Sequence, residues 1–257
     1  MHPMRRWNIA AGNFFFRYRN ALFPICFLLV PLIGRPTMMG GPALDRRLTG
    51  LGMLVALLGQ LVRLMTIGYE YIERGGREGK VYASRLVQGG VYALTRNPMY
   101  VGNALIAVGM TMAAGAPQIY LVMLPFFLLV YQAIVAAEEV YLRGQFGAAY
   151  DQYCAAVNRW WPSWRQIPKA LGGRRYDWRS AVRKELSTAT GLLSGFIWLP
   201  VWRTFFLEDF AAAKARAPQA LLLELIVLSL YGGLVYLKQQ RRVFYVSPHQ
   251  QSTTAEP

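Results

Sequence analysis

Histidine, cysteine and acidic side chains are scarce in this chain. The two histidines, His2 and His249, lie near opposite ends, so no histidine general base and no histidine-rich metal site can be assembled from neighbours in sequence. The two cysteines, Cys26 and Cys154, have no paired spacing, which argues against both a zinc site and a disulfide framework. Charged residues make up 16% of the 257, against roughly 25% in an ordinary soluble domain. That is too little polar surface for a soluble protein, and the 54% of hydrophobic residues come in blocks rather than in alternation.

Against 13 acidic residues stand 28 basic ones, giving a formal net charge of +15. The basic residues sit between the apolar blocks. This pattern points to loops on an anionic membrane surface and not to nucleic acid. A membrane helix needs about 20 mostly apolar residues. Six stretches answer that description: 20–34, 48–67, 98–115, 118–137, 188–207 and 219–237. The sequence thus predicts an all-α polytopic transmembrane bundle of about six spans. Pro24 and Pro31 interrupt the first, which reads as a retained span and not a removed signal peptide. Gly115, Ala116 and Pro117 separate the third from the fourth, predicting a tight antiparallel hairpin.

The positive-inside rule orients this arrangement. With the N-terminus cytoplasmic, inner segments collect Arg5, Arg6, Arg17, Arg19, Arg74, Arg77, Lys80, Arg85, Arg96, Arg143, Arg159, Arg165, the run from Lys169 to Lys184, and Lys238, Arg241 and Arg242. Outer segments keep Arg35, Arg46, Arg47, Arg203, Lys214 and Arg216. Both termini are then cytoplasmic, and the short loops suit a bacterial inner membrane. Five parts are expected: an N-terminal arm and first span (1–47), a core (48–165), a basic cytoplasmic connector (166–187), a two-span hairpin (188–240) and a disordered tail (241–257). Two intramembrane charges stand out. Arg63 is read as snorkelling to the interface, and Glu224 requires a partner or water.

Two stretches carry chemistry. In the first, Gly89 and Gly90 permit a tight turn and close backbone approach to a ligand, followed by Tyr92, Arg96, Asn97, Pro98, Tyr100 and Gly102. Pro98 suits the first turn of a helix, leaving Arg96 at the membrane surface, where it could clamp a carboxylate or phosphate or simply anchor the helix end. In the second, Glu138 and Glu139 close an apolar helix and are followed by Leu142, Phe146, Gly147, Tyr150, Tyr153, Arg159, Trp160 and Pro162. If that helix continues through Gly147, then Glu139, Leu142, Phe146, Tyr150 and Tyr153 share a face. Carboxylates beside aromatics suit a cationic, ribose-bearing ligand. The plain alternative is a Glu139–Arg143 pair on an ordinary amphipathic helix.

In this order, on either side of an apolar hairpin, the two motifs resemble those of the integral membrane methyltransferases, which include isoprenylcysteine carboxyl methyltransferase and the phospholipid N-methyltransferases. The resemblance runs from about Leu51 to Trp164. It implies S-adenosyl-L-methionine as cofactor, a pocket facing the cytoplasm, and a lipophilic substrate arriving from the bilayer. By motif position, Gly90, Tyr92, Asn97, Pro98, Tyr100, Glu138, Glu139, Tyr150 and Tyr153 are implied for the cofactor. Arg159 and Trp160 are implied for substrate, and Arg96, Tyr100 and Glu139 for catalysis, with no metal. The isoprenylcysteine enzymes usually carry histidine where this chain has Asn97, which can hydrogen-bond but not titrate. The acceptor is therefore left open among a phospholipid amine, an isoprenylcysteine-like carboxylate and a thiol. Two other classes answer parts of the pattern: a nicotinamide-dependent sterol-reductase-like enzyme, which needs more spans, and a non-enzymatic assembly factor or small transporter.

Overall fold

The computed structural model describes residues 3–38, 40–70 and 81–240. Among these every regular element is helical. The long helices are α1 (Pro3–Ile33), α2 (Pro42–Tyr69), α3 (Pro98–Ala114), α4 (Leu124–Phe146, entered through a π-helical turn over Ile119–Met123), α7 (Trp178–Leu207) and α8 (Phe210–Gln239). Two short helices, α5 (Ala148–Ala156) and α6 (Ile167–Leu171), lie between α4 and α7.

Each of the six apolar stretches falls within one of the long helices. Pro42–Tyr69, Ile119–Phe146 and Phe210–Gln239 are long and apolar enough to cross a membrane, and Pro98–Ala114 is apolar but shorter. Helices α1 and α7 have the length but not that composition. The chain is a membrane protein with three such helices among the described residues. The tail expected to be disordered, together with Arg74, Arg77 and Lys80, lies outside the described residues.

Three expectations change. Helix α1 is not broken by its prolines: its backbone is helical without interruption across Pro24 and Pro31, as neighbouring helices permit in membrane proteins. The basic connector is not a loop to residue 187, since α7 begins at Trp178. Asp177 caps it by accepting from the Ser180 amide at 3.0 Å, and the Asp177 amide donates to the Gly68 carbonyl at 2.7 Å, tying α7 to the end of α2. The α3–α4 turn forms as expected, with Gly115 at φ 63°. The two helices nevertheless find their main partners elsewhere, α3 on α2 and α4 on α1.

Small residues explain the α2–α3 choice. Gly52, Ala56 and Gly59 recur at helical spacing on α2 and face Gly102 and Gly109 of α3, so closely that a Cβ on any of the four glycines would strike the other backbone. In a bilayer there is no hydrophobic drive between helices, and such close backbone approach supplies the packing instead. Gly12 of α1 meets the backbone of Ala133 on α4 in the same way.

Arg63 does not snorkel. It is 5% exposed and grips Glu185 of α7, itself 1% exposed, through Nε at 2.6 Å and Nη2 at 2.8 Å. Glu224 of α8 has its partner: Ser194 Oγ of α7 donates to it at 2.8 Å. Arg203 donates to the Ala113 and Ala114 carbonyls at 3.0 and 2.8 Å, closing the end of α3, and pairs with Asp45.

Candidate functional site

The two motifs meet at the end of the bundle where α3 begins and α4 ends. The chain before α3 makes a 3-10 turn over Gly90–Ala93. It is stitched to the segment after α5 by a ladder of hydrogen bonds. Tyr153 Oη donates to the Tyr92 carbonyl at 2.7 Å. The Arg96 amide donates to Asn158 O at 2.9 Å, and the Ser163 amide to Leu94 O at 2.9 Å. Asn97 Nδ2 donates to Arg159 O at 3.0 Å, and the Thr95 hydroxyl lies 3.2 Å from the carbonyls of Arg159 and Trp160. Asn97 is thus a latch between the motifs, a role that an amide fills and that needs no titrating group. Pro98 is fully buried at the start of α3, where its missing amide hydrogen costs nothing.

Gly90 sits at φ 55°, a conformation only glycine adopts without strain. What approaches it is the end of α2: a Cβ there would lie 3.1 Å from Glu70 and 3.2 Å from Tyr69. Glu70 in turn holds Arg85 at 2.9 Å and Arg174 at 2.7 Å. The double glycine therefore brings the motif against α2 and the connector. Tyr92 is buried beside it and contributes its carbonyl.

The helix carrying the paired acids does not continue through Gly147. That residue takes φ 51°, ψ −126°, ends α4 and begins α5. The aromatic cluster survives the bend, because α5 folds Tyr150, Tyr153 and Val157 against Leu142, Phe146 and Leu86. Burial pushes the hydroxyls of both tyrosines well above the ordinary range, so they remain neutral donors. Arg143, the alternative partner of Glu139, pairs instead with Asp151 across the bend at 2.7 Å.

Glu138 and Glu139 go separate ways. Glu138 turns toward α3, where Tyr100 Oη donates to its Oε1 at 2.7 Å. The Tyr100 ring packs on Tyr131 with centroids 5.6 Å apart. Arg19 of α1 has its guanidinium 4.0 Å over the Phe16 ring, and Tyr100 packs against the same cluster. Glu139 turns toward the loop motifs, with Arg159 Nε at 3.0 Å and Arg96 at 3.5 Å from its Oε1. None of these three buried atoms, Glu139 Oε1, Arg159 Nε and Arg96 Nε, has an aligned hydrogen bond. Two guanidinium groups around one carboxylate form a polar surface suited to a ligand bearing both a carboxylate and donors. Arg159 also lies over the ring of Trp160 at 5.7 Å.

All the residues singled out by motif are brought to this one end of the bundle. Asn103 and Tyr131 were missed. Asn103 stands one turn beyond Tyr100, and Tyr131 two turns before Glu138, so helical spacing from the motif residues points to both.

Residues 48–149 match the family model described as phospholipid methyltransferase. The match bears out the resemblance over that segment and stops short of Tyr150, Tyr153, Arg159 and Trp160. No curated protein and no solved structure matches the chain.

Proposed function

We propose that the chain methylates the amine of a phospholipid head group, using S-adenosyl-L-methionine, since residues 48–149 match the phospholipid methyltransferase family model. The observation that carries this reading is the split of the paired acids. One is paired with two arginines, and the other faces a tyrosine beside the apolar helices.

This polar cluster fits the cofactor. Arg96 and Arg159 suit its carboxylate, Glu139 its amine or ribose hydroxyls, and the Tyr150 and Tyr153 cluster backs the pocket. Bound there, the cofactor supplies a methyl group on a sulfonium, a good leaving group that calls for alignment and exclusion of water, not for a protein nucleophile. Glu139 is engaged by two cations. Glu138 is the proton acceptor: an amine must shed one proton for each methyl it gains, and Glu138, hydrogen-bonded to Tyr100, is placed to hold it. Arg19 puts a cation over the Phe16 cluster against which Tyr100 packs, where it is available to a lipid phosphate. A carboxylate or thiolate acceptor would leave the proton acceptor without a task, which favours the phospholipid amine.

The site lies on the side where the basic residues collect, so the pocket opens to the cytoplasm of a bacterial inner membrane, with six spanning helices and both termini inside. Calorimetric titration of the detergent-purified protein with S-adenosylhomocysteine tests the cofactor assignment. Binding is expected for the wild type and is lost in a Glu138→Ala/Glu139→Ala variant. A folded wild-type protein that binds nothing contradicts it.

A further inference from the structure

Beyond the matched segment, α7 inserts Glu185 into the interior of the bundle. Glu185 accepts from Arg63 Nε and Nη2 and from Gln60 Nε2 at 3.1 Å. Arg63 Nη2 also reaches Thr188 Oγ1 at 3.2 Å, and Nη1 donates to Asn103 Oδ1. With its oxygen engaged, Asn103 has its amide N–H groups for the Tyr131 hydroxyl beside it. Tyr131 packs on Tyr100, and Tyr100 holds Glu138. An unbroken line of contacts thus runs from α7 through α2 and α3 to α4.

We infer that Glu185 is a positioning residue for the Tyr100–Glu138 pair, acting through Arg63 and Asn103, so that the C-terminal helices complete the site of the matched module. A buried ion pair is a poor means of stabilising a fold, since well-packed apolar side chains of similar size often serve as well or better. It is a good means of fixing a geometry, because the planar guanidinium fixes Glu185 on one side and Asn103 on the other. Asn103 cannot rotate without losing Arg63, and the Tyr131 hydroxyl cannot move without losing Asn103.

The test replaces the pair by apolar residues, Arg63→Met with Glu185→Leu, alongside Glu185→Gln. The single change strands a buried cation and can unfold the protein, whereas the double change removes both charges. Two readouts are taken on the folded double variant. In the first, 3-fluorotyrosine is placed at position 100 alone, and its fluorine resonance reports the hydrogen bond to Glu138 with no substrate present. In the second, methyl transfer to phosphatidylethanolamine vesicles is measured together with S-adenosylhomocysteine affinity.

Positioning requires a shifted or broadened fluorine resonance. It also requires kcat lowered about tenfold or more, as small misplacements of reacting groups do, with S-adenosylhomocysteine affinity held within about threefold. A double variant with the wild-type resonance and wild-type kcat overturns the inference and leaves the pair a packing element. The activity arm rests on the methyltransferase reading, but the fluorine arm does not. A shifted resonance in a protein whose wild type methylates no lipid would retain the coupling and refute the proposed function.

Discussion

Glu138 and Glu139 are adjacent in the chain and opposite in their partners. Glu138 Oε1 accepts from the Tyr100 hydroxyl at 2.7 Å, while Glu139 Oε1 faces Arg159 at 3.0 Å and Arg96 at 3.5 Å. Neighbouring residues on a helix point about 100° apart, so a doubled acid at a helix end serves two sites at once. The proposed division of labour between cofactor and acceptor rests on that geometry.

Conservative amides separate the two acids. Glu139→Gln is expected to weaken S-adenosylhomocysteine binding by about tenfold or more, the loss of one charge-assisted contact. Glu138→Gln is expected to leave that affinity near wild type while kcat falls by about 10²-fold, the usual contribution of a general base. Calorimetry and initial rates on the two variants check this. Loss of binding in Glu138→Gln with retention in Glu139→Gln would reverse the assignment.

Tyr100→Phe keeps the ring on Tyr131 and removes the donor to Glu138. The carboxylate left unmatched costs about 1–3 kcal/mol. A drop in kcat with cofactor affinity unchanged is expected. Equal activity of Tyr100→Phe and wild type would show that the hydroxyl has no part in the reaction.

Asn97→Ala removes the latch to the Arg159 carbonyl. The neighbouring ladder bonds persist, so the fold is expected to hold, with about 1 kcal/mol lost in stability. Arg159 is then less firmly placed beside Glu139, and cofactor affinity should fall. Calorimetry on the folded variant would reveal an unchanged affinity if the latch does not matter.

Gly59→Leu and Gly109→Leu force α2 and α3 apart, because even a Cβ at either position meets the facing backbone. Overpacking of this kind costs about 1–3 kcal/mol or more. Thermal unfolding in detergent should show a clear loss for both. Gly144→Leu, at a glycine with open space around its Cβ position, serves as the control.

The raised hydroxyls of Tyr150 and Tyr153 give a sign for alkaline stability. A tyrosine whose pKa is raised by folding adds stability below its unfolded value near 10, and that stability is lost as pH rises beyond it. A Tyr150→Phe/Tyr153→Phe variant should therefore lose less stability than wild type between about pH 9 and 11. Parallel slopes in thermal melts across that range would contradict the burial of the pair.

The elements were legible where apolar length marks them. Six blocks are six helices, and motif spacing placed Arg96, Tyr100, Glu138, Glu139, Tyr153 and Arg159 at one end of the bundle. What was not legible depended on partners distant in sequence. Arg63 looked like a snorkelling residue because its counter-ion, Glu185, lies 122 positions away in what read as a polar connector. Gly147 looked compatible with a continuous helix, and only the fold shows it bent so that α5 packs back under α4. The glycine spacing of α2 and α3 was present in the sequence all along and carries a packing meaning that hydropathy alone does not weigh.

The most direct measurement is the transfer of labelled methyl from S-adenosyl-L-methionine to phosphatidylethanolamine in proteoliposomes of the purified protein, with the extracted lipids resolved by chromatography. The account expects label in N-methylated lipid from the wild type and near-background label from Glu139→Gln. Folded wild-type protein that leaves the lipid unlabelled would contradict it.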